Sequence, residues 1–209
     1  MCYDQTCLGY MLIAILVGFS GMIYLSLRYR KNFLEKNMHI TADQVWQEVA
    51  KRASQKNLNK SDLLFGIKQD GSASVGILVI KDANNQVVGR IEFPIGKREY
   101  KMWVGNDQYR INFPLSFRSS ANLKRDADDS VLASYNMLNI FGKHKFEIPG
   151  YGILVSERPA LSWRIIFNYI IGDNLVGMKQ EISPTREIGK LAILPSNIPL
   201  HVRIFILVL

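Results

Sequence analysis

Gly189-Lys190-Leu191-Ala192-Ile193-Leu194-Pro195-Ser196-Asn197-Ile198-Pro199-Leu200-His201-Val202-Arg203-Ile204-Phe205-Ile206-Leu207-Val208-Leu209 ends the sequence and decides how the rest is read. A short apolar run from Lys190 to Leu194 meets a Pro-Ser-Asn-Ile-Pro breaker. A nearly solid apolar segment follows, interrupted only by His201 and Arg203. Such a segment has to be covered. As a helix, residues 198–209 would rise only ~18 Å, well short of the ~30 Å of a bilayer core. The cover is therefore expected to be protein. A helix over about 199–209 would tolerate Pro199 in its first turn. The run Val202 to Leu209 would equally suit one more buried strand, and a segment this short fits either period.

The material for the cover lies upstream. From Leu63 onward the pattern is extended. Val75 to Ile80 is compact and β-branched, Asp82-Ala83-Asn84-Asn85-Gln86 is a turn, and Val87 to Phe93 answers as a hairpin partner. Tyr100, Met102 and Val104 alternate, Gly105-Asn106-Asp107 turns the chain, and Tyr109, Ile111, Phe113, Leu115 and Phe117 alternate over a long strand. Ser119 to Ser130 reads as an exposed loop or edge. Val131 to Ile140, Lys145 to Ile148, Tyr151 to Ser156, Leu161 to Ile171, Leu175 to Glu181 and Arg186 to Leu194 are further strands. Ten to twelve short strands with no helices between them point to a meandering antiparallel sheet, more easily closed than flat. A closed sheet of about twelve strands has an interior too wide for its own side chains alone. The apolar tail then has a place to go.

Between Asp4 and Arg28 no residue is charged, and residues 8–27 give a helix of about 30 Å, long enough to cross a membrane. A cleaved signal peptide would begin basic and end on small residues. Here only Asp4 precedes the span, and Arg28-Tyr29-Arg30-Lys31 follows it. Retention as a single-pass anchor is expected. The positive flank places the C-terminal part on the cytoplasmic side. Residues 1–60 carry eight Lys/Arg against four Asp/Glu, within a chain of net charge +8. A basic excess densest beside an apolar span favours an anionic membrane surface as partner rather than nucleic acid. Cys2 and Cys7 lie ahead of the span and cannot staple the rest of the fold.

Beyond the anchor, Thr41 and Gln44 have the spacing of a capping box. Val45, Trp46, Val49 and Ala53 keep one apolar face, which predicts an amphipathic helix over about 42–54. Its face suits a sheet or, given Lys51, Arg52 and Lys56, a membrane surface. The predicted organisation is a short exterior N-terminus at 1–7, a transmembrane helix at 8–27, a basic juxtamembrane segment with the amphipathic helix at 28–60, and a β-barrel domain at 61–209.

Little in the sequence points to catalysis. His39, His144 and His201 have no ligand-like spacing. No phosphate-cradling Gly-x-x-x-x-Gly-Lys, nucleophile elbow or Gly-x-Gly-x-x-Gly is present. Asp126, Asp128 and Asp129 lack the glycine and closing glutamate of a calcium loop. No metal or cofactor is expected. An enzyme working inside the barrel would need a hollow interior, which the apolar tail would occupy.

The hairpin 75–93 with its Asp-Ala-Asn-Asn turn, the repeated strand-turn-strand pairs and the closing Gly189-Lys190-Leu191-Ala192-Ile193-Leu194-Pro195 before a hydrophobic tail resemble the tubby C-terminal-like superfamily. That group includes tubby domains, phospholipid scramblases and lurp-one-related proteins. The resemblance covers about residues 63–209 and implies a twelve-stranded antiparallel barrel around a C-terminal helix. It departs from scramblases in carrying its anchor at the N-terminus and in lacking their cysteine-rich segment, so scramblase activity does not follow. Tubby domains bind phosphoinositide headgroups through basic residues. The nearest basic cluster here is Lys97, Arg98 and Lys101, with Arg28, Arg30 and Lys31 holding the membrane-side charge. The expected function is non-catalytic recognition of anionic lipid by a cytoplasmic barrel. The rival is a protein-interaction subunit of a membrane complex, with a protein partner in place of the lipid.

Overall fold

The computed structural model describes Tyr24 and residues 40–69, 75–114, 119–139, 143–159, 166–181 and 188–209. The chain divides into two compact units, Met1–His39 and Ile40–Leu209. Apart from Tyr24, the predicted anchor at 8–27 lies outside the described residues. Among those described, no helix is long and apolar enough to cross a membrane.

The second unit is a closed barrel of twelve antiparallel strands: β1 Leu63–Gln69, β2 Val75–Asp82, β3 Val87–Pro94, β4 Glu99–Val104, β5 Asp107–Asn112, β6 Ser120–Arg125, β7 Val131–Met137, β8 His144–Ile148, β9 Gly152–Glu157, β10 Ile166–Ile171, β11 Asn174–Glu181 and β12 Ile188–Ile193. Each strand pairs with the next, and β12 returns to β1, Leu63 facing Ile193. Strand twist and curvature must increase to close such a ring. Bulges at Gly66/Ile67, Ile80/Lys81, Leu123/Lys124 and Tyr169/Ile170 supply them.

Helix α2, Leu200–Val208, occupies the barrel interior, with Pro199 at its N-cap. Every residue from Val202 to Val208 is buried. That accounts for the segment's even hydrophobicity: a helix surrounded by strands has no solvent face to leave polar. The inward side chains Leu64, Ile80, Ile91, Met102, Ile111, Leu123, Phe146 and Tyr169 pack with Ile204, Phe205 and Leu207 in one cluster. At Gly89 of β3 an added Cβ would lie 2.7 Å from Ile204 Cδ1, so the helix approaches the wall where only glycine leaves room. The two polar interruptions have specific partners. His201 stacks on Tyr109 with ring centroids 5.0 Å apart. Arg203 donates through Nη2 to the Asp62 carbonyl at 2.7 Å.

The outer face of the seam is also apolar. Helix α1, Ala42–Ser54, covers it, placing Ala42, Val45, Val49 and Ala53 on Leu63, Phe65 and Ile67 of β1, Leu191 and Ile193 of β12, Met178 of β11 and Ile166 of β10. The capping box forms as the spacing predicts, Thr41 Oγ1 accepting from Gln44 N and Gln44 Oε1 from Thr41 N. The β2–β3 turn adds a further anchor, Asn85 Oδ1 accepting from Ala42 N. Arg52 Nη2 reaches Gln180 Oε1 at 2.7 Å, and Lys56 Nζ reaches Asn168 Oδ1 at 2.8 Å. The apolar face of α1 is thus spent on the barrel, not on a membrane.

Two expectations are corrected. Residues 120–125 are a strand, with Ala121 and Leu123 buried inward and Asn122 and Lys124 outward. Two inward positions are enough when both neighbours supply hydrogen-bonding edges. The strand at Tyr109 stops at Asn112, Phe113 being held instead by its N–H to the Arg98 carbonyl at 2.8 Å.

Phe205 is fully buried and meets the Phe146 ring edge-on at 6.2 Å. Phe205→Ala is expected to destabilise the barrel by about 3–5 kcal/mol, read as a lower denaturant midpoint with an unchanged m-value.

Candidate functional site

Antiparallel order sorts the connections onto two ends of the barrel. One end carries the tight turns after β2, β4, β6, β8 and β10. The other carries the connections after β1, β3, β5, β7, β9 and β11, and the C-terminus of α2. The residues with functional chemistry gather at this second end, on its rim and just inside it.

On the rim, the β3–β4 connection is a turn in which Lys97 N–H donates to the Pro94 carbonyl at 3.3 Å. Gly96 has φ 77°, which the third position of a type II turn requires. The turn holds Ile95 outward at 73% exposure, followed by exposed Lys97 and Arg98. Two further apolar residues, Met137 and Leu138, are exposed where β7 reaches the same end.

The predicted basic set divides. Arg28, Arg30 and Lys31 lie outside the described residues. Lys97 and Arg98 share the rim turn. Lys101 stands two residues into β4 on the outer wall, opposite Glu92 and Arg110. That wall is charge-compensated: Arg110 Nη2 meets Asp129 Oδ1 at 2.9 Å and its Nε lies 2.6 Å from Asp126 Oδ1, Lys124 Nζ meets Asp129 Oδ2 at 2.9 Å, and Arg90 meets Glu92 at 2.8 Å. The structure therefore joins Lys97 to Arg98 and sets Lys101 apart from them, among the ion pairs of the wall.

Just inside the rim, the inner face turns polar. Strand alternation places Lys179 and Glu181 of β11, Lys190 of β12, His144 of β8 and Ser156 of β9 inward. Lys190 Nζ donates to the Val208 carbonyl at the end of α2 and lies 3.5 Å from Glu181 Oε1. A cation at a helix C-terminus is favourably placed against the helix dipole. Lys179 is 1% exposed, with its ammonium 5.3 Å from the centroid of Phe167. His144 tilts against the same ring at 5.1 Å and meets Tyr135 edge-on at 5.3 Å. Ser156, opposite His144 in the ladder, is buried with its hydroxyl unpartnered among the described residues.

Burial holds the Lys179 amine well below the ordinary lysine range, Lys190 pushing the same way and Glu181 opposing. Burial likewise lowers His144, to about 4. Neither residue was singled out as functional by the sequence. The available signal was strand phase: Lys179 falls in step with Gly177, and His144 with Phe146 and Ile148. The apolar outward residue Met178 of β11 hid it, being buried as deeply as its neighbours. Among the described residues no group of three or more His, Cys, Asp or Glu is placed to hold a metal ion.

The chain matches no protein-family model, no curated protein and no solved structure.

A lysine whose folded pKa lies below its unfolded value of 10.5 binds fewer protons folded than unfolded, so stability rises with pH up to that value. Lys179→Met, close in length and apolar, should raise stability near pH 7 by about 1–3 kcal/mol, the cost of an unsatisfied buried polar group. Equilibrium denaturation at pH 7 checks this. His144, lowered from 6.5 to about 4, also makes stability fall as pH drops through that interval, because only the unfolded state gains the proton. In His144→Asn this part of the acid slope between pH 6.5 and 4 should disappear, as measured by thermal melts across that range.

Proposed function

We propose that this is a membrane-anchored, non-catalytic binding protein whose barrel reads anionic lipid at a membrane surface. The carrying observation is the β3–β4 turn, which presents the exposed side chain of Ile95 immediately beside the exposed bases Lys97 and Arg98. An apolar residue flanked by cations is the chemistry of interfacial contact: the apolar group enters the acyl boundary while the charges stay with the headgroups. Each base near an anionic surface contributes about 1 kcal/mol. Burying the isoleucine adds roughly 1.5–3 kcal/mol. The contact is therefore weak alone and suited to a protein already held at the membrane.

Residues 8–27 supply that tether in this reading, as a single-pass helix with the barrel on the cytoplasmic side. Arg28, Arg30 and Lys31 add charge at the surface. The closed barrel with an internal C-terminal helix supports the likeness to the tubby-like group, whose lipid binding gives the reading its analogy. Lys101 contributes less, being set among the ion pairs of the wall. A protein partner is the second reading, favoured by exposed Met137 and Leu138 at the same end.

The unit Ile40–Leu209 has its own closed ladder and core, so it can be tested without the anchor. Flotation with anionic vesicles should recover it at low salt and release it at high salt. Ile95→Ser and the pair Lys97→Ala/Arg98→Ala should each weaken recovery by about fivefold or more, with Lys101→Ala weaker in effect. Failure to float with anionic vesicles, or equal flotation with neutral ones, overturns the lipid reading and leaves the protein-partner reading in its place.

A further inference from the structure

The rim carries a second apolar point with its own base. At the end of β7, Met137 and Leu138 are 37% and 51% exposed. Leu138 N–H donates to the Lys143 carbonyl at 2.8 Å, and Lys143 N–H donates to Asn139 Oδ1 at 2.9 Å. These bonds set Lys143 beside Leu138 at the base of the β7–β8 connection. The Lys143 side chain keeps 45% exposure while its Nζ lies 3.2 Å from Glu157 Oε1, and a pair that exposed is weakly held. The chemistry repeats that of Ile95 with Lys97 and Arg98. Four of the twelve strand steps separate the two connections, a third of the way round the ring. At the usual strand spacing and tilt they stand roughly 20 Å apart. One lipid headgroup cannot touch both, whereas an extended surface can.

The two ends of the barrel also differ in sign. Among the described residues, the turns at 83–86, 105–106, 126–130, 149–151, 172–173 and 194–199 hold Asp126, Asp128, Asp129 and Asp173 and no Lys or Arg. The described residues of the rim connections, at 95–98, 113–114, 119, 138–139, 143 and 158–159, hold Lys97, Arg98, Lys143 and Arg158 and no Asp or Glu. The two strand residues nearest each turn do not reverse this. At the turn end Lys81, Lys124 and Arg125 stand against Asp82, Asp107 and Glu147. At the rim Lys68 and Lys145 stand against Glu99, Glu157 and Glu181. The negative end of the α2 dipole also points to the rim, where Lys190 donates to the Val208 carbonyl. A barrel polarised along its axis is steered rim first toward a negative surface.

We propose that the barrel docks end-on upon an anionic bilayer, with Met137 and Leu138 entering the acyl boundary as a second contact beside that of Ile95. This rests on the lipid reading above and adds to it a pose and a second point of attachment. The ion-paired wall and the seam under α1 then face water, and the aspartate-bearing turns point away from the membrane. A ring closed by twelve ladders holds the two contacts at fixed separation. Once one is seated the other is presented to the surface at high effective concentration, so loss of either removes most of the binding.

The test uses the unit Ile40–Leu209, which has no cysteine because Cys2 and Cys7 both precede it. Its flotation is measured with vesicles of mixed phosphatidylcholine and phosphatidylserine, with circular dichroism as the check on folding. Leu138→Ser should weaken recovery by about fivefold or more, as Ile95→Ser does. Ile153→Ser removes an apolar residue 48% exposed at the opposite end and should leave recovery unchanged. In a second readout, Ile95→Cys, Leu138→Cys and Ile153→Cys each carry an environment-sensitive dye. Emission from positions 95 and 138 should shift to the blue and be quenched by spin-labelled acyl chains, and emission from position 153 should do neither. Quenching at 95 with 138 left in water overturns the end-on pose and leaves the lipid reading of the β3–β4 turn standing. Quenching at 153 equal to that at 138 also overturns it, since the barrel then lies on its side. Undiminished recovery of Leu138→Ser does the same and leaves Met137 and Leu138 to a protein partner. No recovery of the unmodified unit overturns the lipid reading itself and this proposal with it.

Discussion

The structure depends on a mutual requirement between a ring and its filling. Twelve strands enclose more space than their own inward side chains occupy, and a nine-residue helix apolar on every side has no stable existence in water. Each solves the other's problem. Residues Val202 to Val208 are buried all round, and the inward residues of every strand find contacts they could not make across an empty lumen. Glycine at position 89 shows how closely the two surfaces are fitted. At Gly177 the strands themselves meet as tightly, with an added Cβ 2.5 Å from the Ile193 carbonyl. The interior is thus a packed core, and among the described residues a cluster of ionisable side chains lies near the end where the helix stops.

That distribution explains where chemistry can occur. Along most of the barrel the inward face is apolar, because it touches α2. Around the C-terminal end of α2 the same alternation delivers Lys179, Glu181, Lys190, His144 and Ser156. On the outside, the wall from β3 to β6 is dense with ion pairs, which individually contribute little but leave few isolated charges. The turn bearing Ile95, Lys97 and Arg98 stands on the rim at the end of that wall. Polar interior and amphipathic rim therefore share one end of the molecule, while the opposite end is closed by short turns, the α1 cap at Asn85 and the stacked pair of His201 and Tyr109.

Much of the architecture was legible because it rests on period and punctuation. Alternation located most strands, Asp82 to Gln86 marked a hairpin, and Thr41 with Gln44 marked a helix start. The tail left helix and strand open, and packing, which periodicity cannot see, decided for the helix. Strand β6 escaped because its inward residues, Ala121 and Leu123, are too few and too small to stand out from Asn122, Lys124 and Arg125. The interior cluster escaped for a related reason. Under α1, the outward residues Met178, Leu191 and Ile193 are as apolar as core residues, so Lys179 and Lys190 read as ordinary polar positions between them. Proximity of Lys97, Arg98 and Lys101 in sequence suggested one patch; a turn followed by a strand separates the third from the first two.

The seam between β1 and β12 has a kinetic meaning. Every other pairing joins neighbours along the chain and closes a short loop, whereas Leu63 meets Ile193 only after nearly the whole barrel has been laid out. Loop closure of that length costs entropy before any contact repays it. Until it happens, two strand edges with apolar outer faces stand open, the configuration most prone to pair with another molecule. Helix α1 lies across this same join, gripping β1, β12, β11 and β10 together. It acts as a latch whose engagement makes closure hard to reverse, so the amphipathic segment sets the lifetime of the closed ring as much as its stability.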